Sequence, residues 1–285
     1  MPLSAHQLPR LDLFGLPFCA SDSLRAVADD IWATERCDRG KWPLVVTPNV
    51  DVLVQLARPE NAGLRAGVER AQWVLPDGQP IVTLSKLVYG ARGGLPRRLT
   101  GSDLFPLLWE RICRFETPTL LLAPTAAVGE RLRAENPNAV YFAPPFFAQA
   151  DGAAHDDVVT RLVSLLEGRS FEYFLVGLGF PKQASTSFAA LEALSARGLP
   201  LPKTLLLGAA FEFYLGLKTR APQIYQRLGI EFAHRLMSEP RRLAKRYLVD
   251  DVAFLPMAYH EVRRPRPRHP RPASTARLEE RVRRP

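Results

Sequence analysis

The chain has 285 residues, 47% of them hydrophobic, and a formal net charge of +9. This length and composition suffice for one large core with an appended segment, which excludes a small domain stabilised mainly by disulfides or a structural metal. The sequence lacks the run of about 18 to 20 apolar residues that a membrane-spanning helix needs, and residues 1–10 lack a secretory signal pattern, so we expect a cytoplasmic protein.

Short apolar runs alternate with amphipathic segments along the first three quarters of the chain. The order predicts an α/β fold, a Rossmann-like parallel sheet flanked by helices. We predict strands at residues 44–46, 73–75, 119–122, 140–142, 171–176 and 204–207. We predict helices at residues 23–34, 49–57, 126–134, 156–166 and 183–196.

The alternation ends near residue 220, where a basic helical stretch at 223–247 is followed by residues 248–259. We therefore divide the chain into a Rossmann-like domain (1–221), a basic helical C-terminal appendage (222–262) and a tail (263–285). The tail holds nine arginines and two glutamates among prolines, a composition typical of disorder. It is either a solubilising extension or a segment attracted to anionic headgroups or polyphosphate ligands.

Ligands of open parallel sheets bind beyond the carboxyl ends of the strands, so polar loops at those ends are candidate binding sites. Asp77, between Pro76 and Gly78, follows a predicted strand and is placed to act as a general base whose pKa is raised by partial desolvation. The alternative is a turn aspartate that caps a helix. Thr47 and Asn49 end an earlier strand, where each could bind a sugar or cap the next helix.

Two further features concern a diphosphate. Gly177 and Gly179 follow a predicted strand in a Gly-x-Gly turn, which favours either phosphate binding by backbone N–H groups or a tight turn with no ligand. The residues 235–246 contain four arginines and one lysine against one glutamate, so they form either a solvated basic helix face or a set of arginine forks for diphosphate oxygens. The cations of this cluster are Arg235, Arg241, Arg242, Lys245 and Arg246.

The sequence contains no Asp-x-Asp pair of the kind that holds a divalent ion on a nucleotide-sugar. Cys19, Cys37 and Cys113 are too widely separated in sequence to suggest a zinc site or a disulfide framework. We therefore expect no metal and no other cofactor.

Six blocks in this order resemble the WecG/TagA/CpsF family of glycosyltransferases. They are TPNVD (47–51), PDG (76–78), RLTGSDL (98–104), VGLGFPKQ (176–183), RAP (220–222) and LGIEFAHRLMSEPRR (228–242). The resemblance spans roughly residues 11–255. It implies an inverting, metal-independent hexosyltransferase that uses a UDP-sugar donor and an undecaprenyl-diphosphate-linked sugar acceptor at the inner face of the cytoplasmic membrane.

The resemblance also implies roles for individual residues. Asp77 matches the proposed base, and matches to pocket positions are Thr47, Asn49, Arg98 and Gln183. The arginines after Glu231 match a basic appendage that closes over the donor diphosphate and docks on an anionic membrane. We therefore predict that Arg220 and four of these arginines bind the substrate: Arg235, Arg241, Arg242 and Arg246. The chain departs from the family at Ala184, where Glu is usual, and at Glu212, where Asp is usual. These departures favour a glucose-type donor over an N-acetylmannosamine type.

Two other functions are compatible with parts of the sequence. A nicotinamide-dependent oxidoreductase would explain the parallel sheet and the Gly177 turn, but the third glycine of its fingerprint and the acidic residue about 20 positions on are missing. A nucleic-acid-binding protein would explain the pI of about 9.8, but most of the excess charge lies in the tail and no aromatic-interleaved basic surface is present. We therefore expect no nucleic-acid partner.

Overall fold

The computed structural model describes residues 8–35, 37–148, 151–218 and 253–265. Within them an eight-stranded sheet is flanked by helices on both faces, which confirms the predicted α/β class and the Rossmann-like architecture. The strands are β1 (Arg10–Leu13), β2 (Leu16–Cys19), β3 (Trp42–Val46), β4 (Ala71–Val74), β5 (Thr119–Leu122), β6 (Ala139–Phe142), β7 (Tyr173–Val176) and β8 (Lys203–Leu206).

The strand order is β1-β2-β4-β3-β8-β7-β5-β6. The β1–β2 hairpin is antiparallel, and every other pair of neighbours is parallel. Because β4, β3, β8 and β7 are consecutive in the sheet, the loops that follow them leave from one edge side by side. This edge is called the carboxyl edge below.

The helices are α1 (Leu24–Ala33), α2 (Val50–Leu56), α3 (Ala62–Glu69), α4 (Gln79–Tyr89), α5 (Gly101–Arg114), α6 (Ala126–Glu135), α7 (Gly152–Gly168), α8 (Lys182–Ala196), α9 (Ala210–Tyr214) and α10 (Phe254–Arg263), with a short 3-10 helix at Pro59–Asn61. Side chains of Ser23, Asn49, Thr100, Thr125 and Asp151 cap the N-termini of α1, α2, α5, α6 and α7, each by accepting from a backbone N–H three residues on. Within the described ranges, none of these helices is long and apolar enough to cross a membrane.

Two apolar layers cover the sheet. Alternate strand residues point to opposite faces, so Leu44 and Val46 of β3 join one layer whereas Val45 joins the other. The first layer packs against α2, α3, α4, α7, α8 and α10, and the second packs against α1, α5, α6 and α9. Strands buried on both faces read as continuous apolar runs, which is why the sequence pattern located them.

The C-terminal helix α10 returns to the body and packs against α2 and α4. The rings of Phe254 and Phe14 are 5.7 Å apart, and Arg264 Nη1 lies 3.1 Å from Asp12 Oδ1 in the β1–β2 hairpin. The predicted boundary between residues 262 and 263 therefore falls just before the last residue of α10. The ion pair between Arg264 and Asp12 holds the residues that follow the helix against the hairpin. Residues 219–252 and 266–285, with most of the predicted appendage and tail, lie outside the described residues.

Candidate active site at the carboxyl edge

Hydrogen bonds join the loops after β4 and β3 to each other and to the end of β8 at the carboxyl edge. The backbone N–H of Asp77 donates to the carbonyl oxygen of Pro48 at 3.1 Å, which joins the loops after β4 and β3. The Thr47 hydroxyl lies 3.4 Å from the carbonyl oxygen of Leu206, the last residue of β8, a long hydrogen bond that joins β3 to β8. The structure therefore brings together residues that are far apart in the sequence.

Asp77 is half-buried and directly follows the buried Pro76. The N-cap of α4 is Gly78, so Asp77 lies one residue outside the helix and does not occupy the capping position that was the alternative. Its backbone is held by Pro48, and its position places a carboxylate at the point where β4 and β3 end. This position is compatible with a general base in a partly desolvated crevice.

Arg98 is brought beside the Asp77 loop by its neighbour in sequence. The backbone N–H of Leu99 donates to the carbonyl oxygen of Pro76 at 2.9 Å. The next residue, Thr100, is the N-cap of α5: its hydroxyl accepts from the N–H of Asp103 at 3.0 Å and lies 2.7 Å from Asp103 Oδ2. These bonds anchor the segment that carries Arg98, which is half-buried.

Thr47 and Asn49 have different local roles. A Cβ atom placed on Gly101, the first residue of α5, would lie 3.4 Å from both Thr47 Oγ1 and Thr47 Cγ2, so α5 packs closely on the threonine. Asn49 caps α2, and its Oδ1 accepts from the N–H of Val52 at 3.0 Å. The capping role that we considered for Asn49 is present in the structure, whereas Thr47 lies between the end of β8 and the start of α5.

The Gly177 turn is explained by packing. A Cβ atom on Gly177 would lie 2.4 Å from the ring of the fully buried Phe211. At the start of α8 the N–H of Gln183 donates to the carbonyl oxygen of Gly179 at 3.1 Å, and the N–H of Ala184 donates to that of Pro181 at 3.0 Å. These two N–H groups are therefore not available to bind a phosphate, and the packing against Phe211 accounts for a glycine at position 177. Phosphate binding by the other N–H groups of the turn stays a prediction.

Replacing Gly177 by alanine is expected to destabilise the fold by roughly 1 to 3 kcal/mol, the usual range for overpacking a core. Gly179 is the matched control because a Cβ atom on it would meet nothing within 4 Å. Thermal unfolding of both variants measures the difference. Equal melting temperatures for Gly177→Ala and Gly179→Ala would contradict the packing explanation.

Gln183 joins α8 to the end of β8. The side chain is only 9% exposed, and its Oε1 accepts from the backbone N–H of Gly208 at 3.1 Å. Gly208 has a φ of +57°, in the left-handed region that favours glycine. The sequence motif pointed to Gln183 but carried no signal for Gly208, because the two residues meet only through the packing of α8 beside β8.

Two residues near this edge, Lys182 and Phe146, were not predicted as site residues. The Lys182 ammonium donates to the carbonyl oxygen of Phe147 and lies 4.7 Å and 4.5 Å from the ring centroids of Phe146 and Phe147. Phe146 is 94% exposed, in the loop after β6. The sequence does carry a signal for Phe146, because two adjacent phenylalanines, Phe146 and Phe147, closely follow a predicted strand.

Glu212, a departure from the family pattern, has a local partner. Its Oε2 lies 2.8 Å from the ammonium of Lys218, and its carbonyl oxygen accepts from the N–H groups of Leu217 and Lys218. These bonds close the turn after α9. The side chain of Glu212, longer than the aspartate that the family pattern has, therefore forms an ion pair with Lys218.

The three cysteine thiols are held in their neutral form. Burial raises the pKa of Cys19, Cys37 and Cys113 to about 11 in each case, so the thiols are neutral at pH 7. All three cysteines are free. Among the predicted diphosphate-binding residues, Arg220, Arg235, Arg241, Arg242 and Arg246 lie outside the described residues.

One comparison with known proteins bears on this site. The family model described as "Glycosyl transferase WecG/TagA/CpsF family" matches residues 11–268 of this chain. The match therefore covers the whole carboxyl edge and extends through α10. It gives no support to a nicotinamide-dependent oxidoreductase or to a nucleic-acid-binding protein.

Proposed function

This chain belongs to the WecG/TagA/CpsF family of glycosyltransferases, and on that basis we propose that it is an inverting, metal-independent hexosyltransferase. Its donor is a UDP-sugar, and its acceptor is a sugar linked to undecaprenyl diphosphate. The observation that carries the proposal is the half-buried Asp77 at the junction of the loops after β4 and β3. The product enters cell-surface polysaccharide or exopolysaccharide synthesis.

In the proposed reaction the Asp77 carboxylate takes the proton of the acceptor hydroxyl as that oxygen attacks the anomeric carbon. The new C–O bond forms on the face opposite the leaving group, the bond from the anomeric carbon to the diphosphate oxygen breaks, and UDP leaves. Thr47 and Arg98 border the same loops and are proposed to hold the substrates. Fixing both reactants in one crevice lowers the entropic part of the barrier.

The diphosphate charge that develops as UDP leaves is proposed to be stabilised by arginines instead of a metal ion. The supporting observation is the sequence itself, which lacks Asp-x-Asp and concentrates cations at Arg235, Arg241, Arg242 and Arg246. Guanidinium groups bind phosphate oxygens through two parallel hydrogen bonds. Arg235, Arg241, Arg242 and Arg246 belong to the predicted appendage at 222–262, and Arg220 lies just before it in the sequence.

The test of the proposed function is a transfer assay with a panel of UDP-sugars and a synthetic polyprenyl-diphosphate-sugar acceptor, followed by mass and linkage determination of the product. We expect one hexose to be added with inverted anomeric configuration in the presence of EDTA, with UDP-glucose preferred. A product with retained configuration, or turnover that requires Mg²⁺ or Mn²⁺, would contradict the proposal.

We also propose that the protein binds peripherally to the cytoplasmic face of an anionic membrane. Helix α10 packs on the body through Phe254 and carries an exposed apolar stripe of Leu255, Tyr259 and Val262, which are 67%, 52% and 42% exposed. The arginine-rich tail follows directly after this helix. An apolar face and a basic segment are two weak signals that together support membrane binding.

Flotation with vesicles of phosphatidylglycerol, and of phosphatidylcholine as the neutral control, tests this proposal. Deleting residues 266–285 is expected to weaken binding to the anionic vesicles and to reduce its dependence on salt, since each basic residue contributes roughly 1 kcal/mol near such a surface. The double variant Leu255→Ser, Val262→Ser should weaken binding to the anionic vesicles at both low and high salt concentration. Unchanged flotation of both variants would assign the docking surface to another part of the chain.

A further inference from the structure

We propose that the cleft between the β1–β2 turn and α10 is a second binding site, which holds a phosphate group on the guanidinium groups of Arg65 and Arg264. The phosphate belongs either to a membrane lipid or to a soluble phosphate compound, and the two sources are separated by experiment. The site is independent of the proposed transfer reaction, because it lies at the other end of the sheet from Asp77.

The cleft lies at the edge of the sheet opposite to the carboxyl edge. Strand β2 runs parallel to β4, and Phe18, near the end of β2, pairs with Val74, the last residue of β4. The turn of Phe14 and Gly15, which precedes β2, therefore lies where the parallel strands begin. The cleft has a volume of about 730 Å³, and its walls come mainly from this turn, α3 and α10. Sites for small molecules have volumes of this size.

Two guanidinium groups converge on Gly15 in the floor of the cleft. A Cβ atom on Gly15 would lie 3.1 Å from Arg65 Nη2 and 4.0 Å from Arg264 Nη1. The φ of Gly15 is +70°, in the left-handed region that favours glycine, and no side chain enters the cleft from this position. A phosphate group accepts hydrogen bonds from several guanidinium N–H groups at once. Two arginines that approach one open point are therefore suited to bind it.

Both arginines are held in position by partners at the rim. Arg65 Nη2 donates to the carbonyl oxygen of Phe14 at 2.7 Å, and Arg65 Nε donates to Glu69 Oε1 at 2.6 Å. Arg264 Nη1 donates to Asp12 Oδ1 at 3.1 Å. The side chains of Glu69 and Asp12 are 50% and 52% exposed, and ion pairs of such exposed carboxylates are weak because water screens them. These pairs orient the guanidinium groups without preventing a phosphate from binding.

The charge of the lining favours an anion. Three arginines line the cleft, Arg65, Arg263 and Arg264, against one carboxylate, that of Glu261. Glu261 is 6% exposed, and its Oε1 lies 3.9 Å from Arg264 Nη1, so its charge is compensated inside the protein. A cleft whose lining carries mainly one sign of charge concentrates ions of the opposite sign.

The cleft also has an apolar wall. Phe14 and Met257 line it while packing against the first apolar layer of the sheet. The acyl chains that follow the phosphate of a lipid would lie on this wall, whereas inorganic phosphate would use the arginines alone. The affinity for a phosphate group with and without an apolar chain therefore identifies the source.

Calorimetric titration of the full-length protein tests the site, with inorganic phosphate and with dihexanoyl phosphatidylglycerol below its micelle concentration as probes. Excess UDP is present to fill the proposed donor site. We expect saturable binding of one phosphate group per chain. Arg65→Gln should weaken it at least about 10-fold, the range for losing a hydrogen bond to a charged group. Arg161→Gln is the matched control, since Arg161 also pairs with a carboxylate one turn away, that of Asp157, but on α7.

A second variant fills the cleft without changing its charge. Gly15→Asn places a side chain beside Arg65 and Arg264, and asparagine tolerates the left-handed conformation better than most residues do. We expect it to weaken phosphate binding at least about 10-fold as well. Gly40→Asn is its control, because Gly40 has a φ of +78° and a Cβ atom on it would meet nothing within 4 Å. Melting temperatures of all variants are measured in parallel.

The proposal is overturned if the native protein shows no saturable binding of either probe, or if Arg65→Gln or Gly15→Asn binds with native affinity. An equal loss in Arg161→Gln or Gly40→Asn would also overturn it. Binding of dihexanoyl phosphatidylglycerol at least about 10-fold tighter than that of inorganic phosphate would assign the site to a lipid headgroup. Equal affinities would assign it to a soluble phosphate compound. Because no readout depends on glycosyl transfer, failure of this site leaves the proposed function unaffected.

Discussion

Replacing Asp77 by asparagine is expected to lower kcat at least about 100-fold while leaving the affinity for the UDP-sugar nearly unchanged. Asparagine has the same shape as aspartate but accepts no proton, so the loss falls on the step in which the acceptor hydroxyl is deprotonated. The backbone bond from Asp77 to Pro48 is independent of the side chain, and the fold should therefore be retained. Initial rates with saturating donor and acceptor measure the effect.

The pH dependence provides a second readout for the same variant. The native rate should fall at acidic pH as the base becomes protonated, and this fall should be absent in Asp77→Asn. Asp157→Asn is the matched control, because Asp157 pairs with Arg161 on the exposed face of α7. Native turnover in Asp77→Asn would exclude Asp77 as the base, and a rate loss in Asp157→Asn would point to a general effect of removing a carboxylate.

Replacing Arg241, Arg242 and Arg246 together by alanine is expected to weaken UDP binding at least about 100-fold, with or without EDTA. Each lost arginine–phosphate contact costs about 1.5 to 3 kcal/mol when the charges are held in place. The loss should appear in calorimetric UDP titrations and as lower kcat/KM in the transfer assay. The three arginines lie outside the described residues, so this prediction depends on the sequence and on the family.

The control for the arginine variant removes the same charge from the tail. Replacing Arg277, Arg281 and Arg283 by alanine should leave UDP affinity within about twofold. At an ionic strength of about 0.15 M, salt screens charges in the tail that do not contact the UDP. Equal losses of UDP affinity in the two triple variants would mean that UDP binding depends on the overall charge of the protein and not on Arg241, Arg242 and Arg246. Affinity that EDTA abolishes in the native protein would replace the arginine proposal with a metal site.

The sequence pattern located strands β3 to β8 and five of the helices because each has a local signal. Buried strands such as β5 are uninterrupted apolar runs, and α1, α2 and α6 begin within one residue of their predicted starts, next to side chains that cap the helix. Helix α7 begins at Gly152, four residues before its predicted start. The β1–β2 hairpin lacked such a signal, since β1 is not an uninterrupted apolar run and β2 contains Pro17. Helix α5 contains Pro106, which reads as a helix breaker although Thr100 caps its start.

The candidate site divides in the same way. The position of Asp77 and Thr47 at the carboxyl edge could be predicted because each lies in the loop after an apolar strand, and parallel strands place such loops at one edge. The reading of Gly177 needed the fold, because only the packing of α9 shows that Phe211 occupies the space a side chain would need. The contact between Gly208 and Gln183 likewise could not be predicted from the sequence, because it forms only when α8 packs beside β8.

The sequence by itself determined the fold class, the family and the set of loops from which the chemistry is proposed, because these depend on the order and type of residues along the chain. The tertiary structure decided which of those residues meet. It placed Gln183 against Gly208, which are 25 positions apart. It also showed that Asn49 caps α2 and that Phe211 occupies the space beside Gly177. Contacts of this kind are set by close packing between elements, which no local pattern encodes.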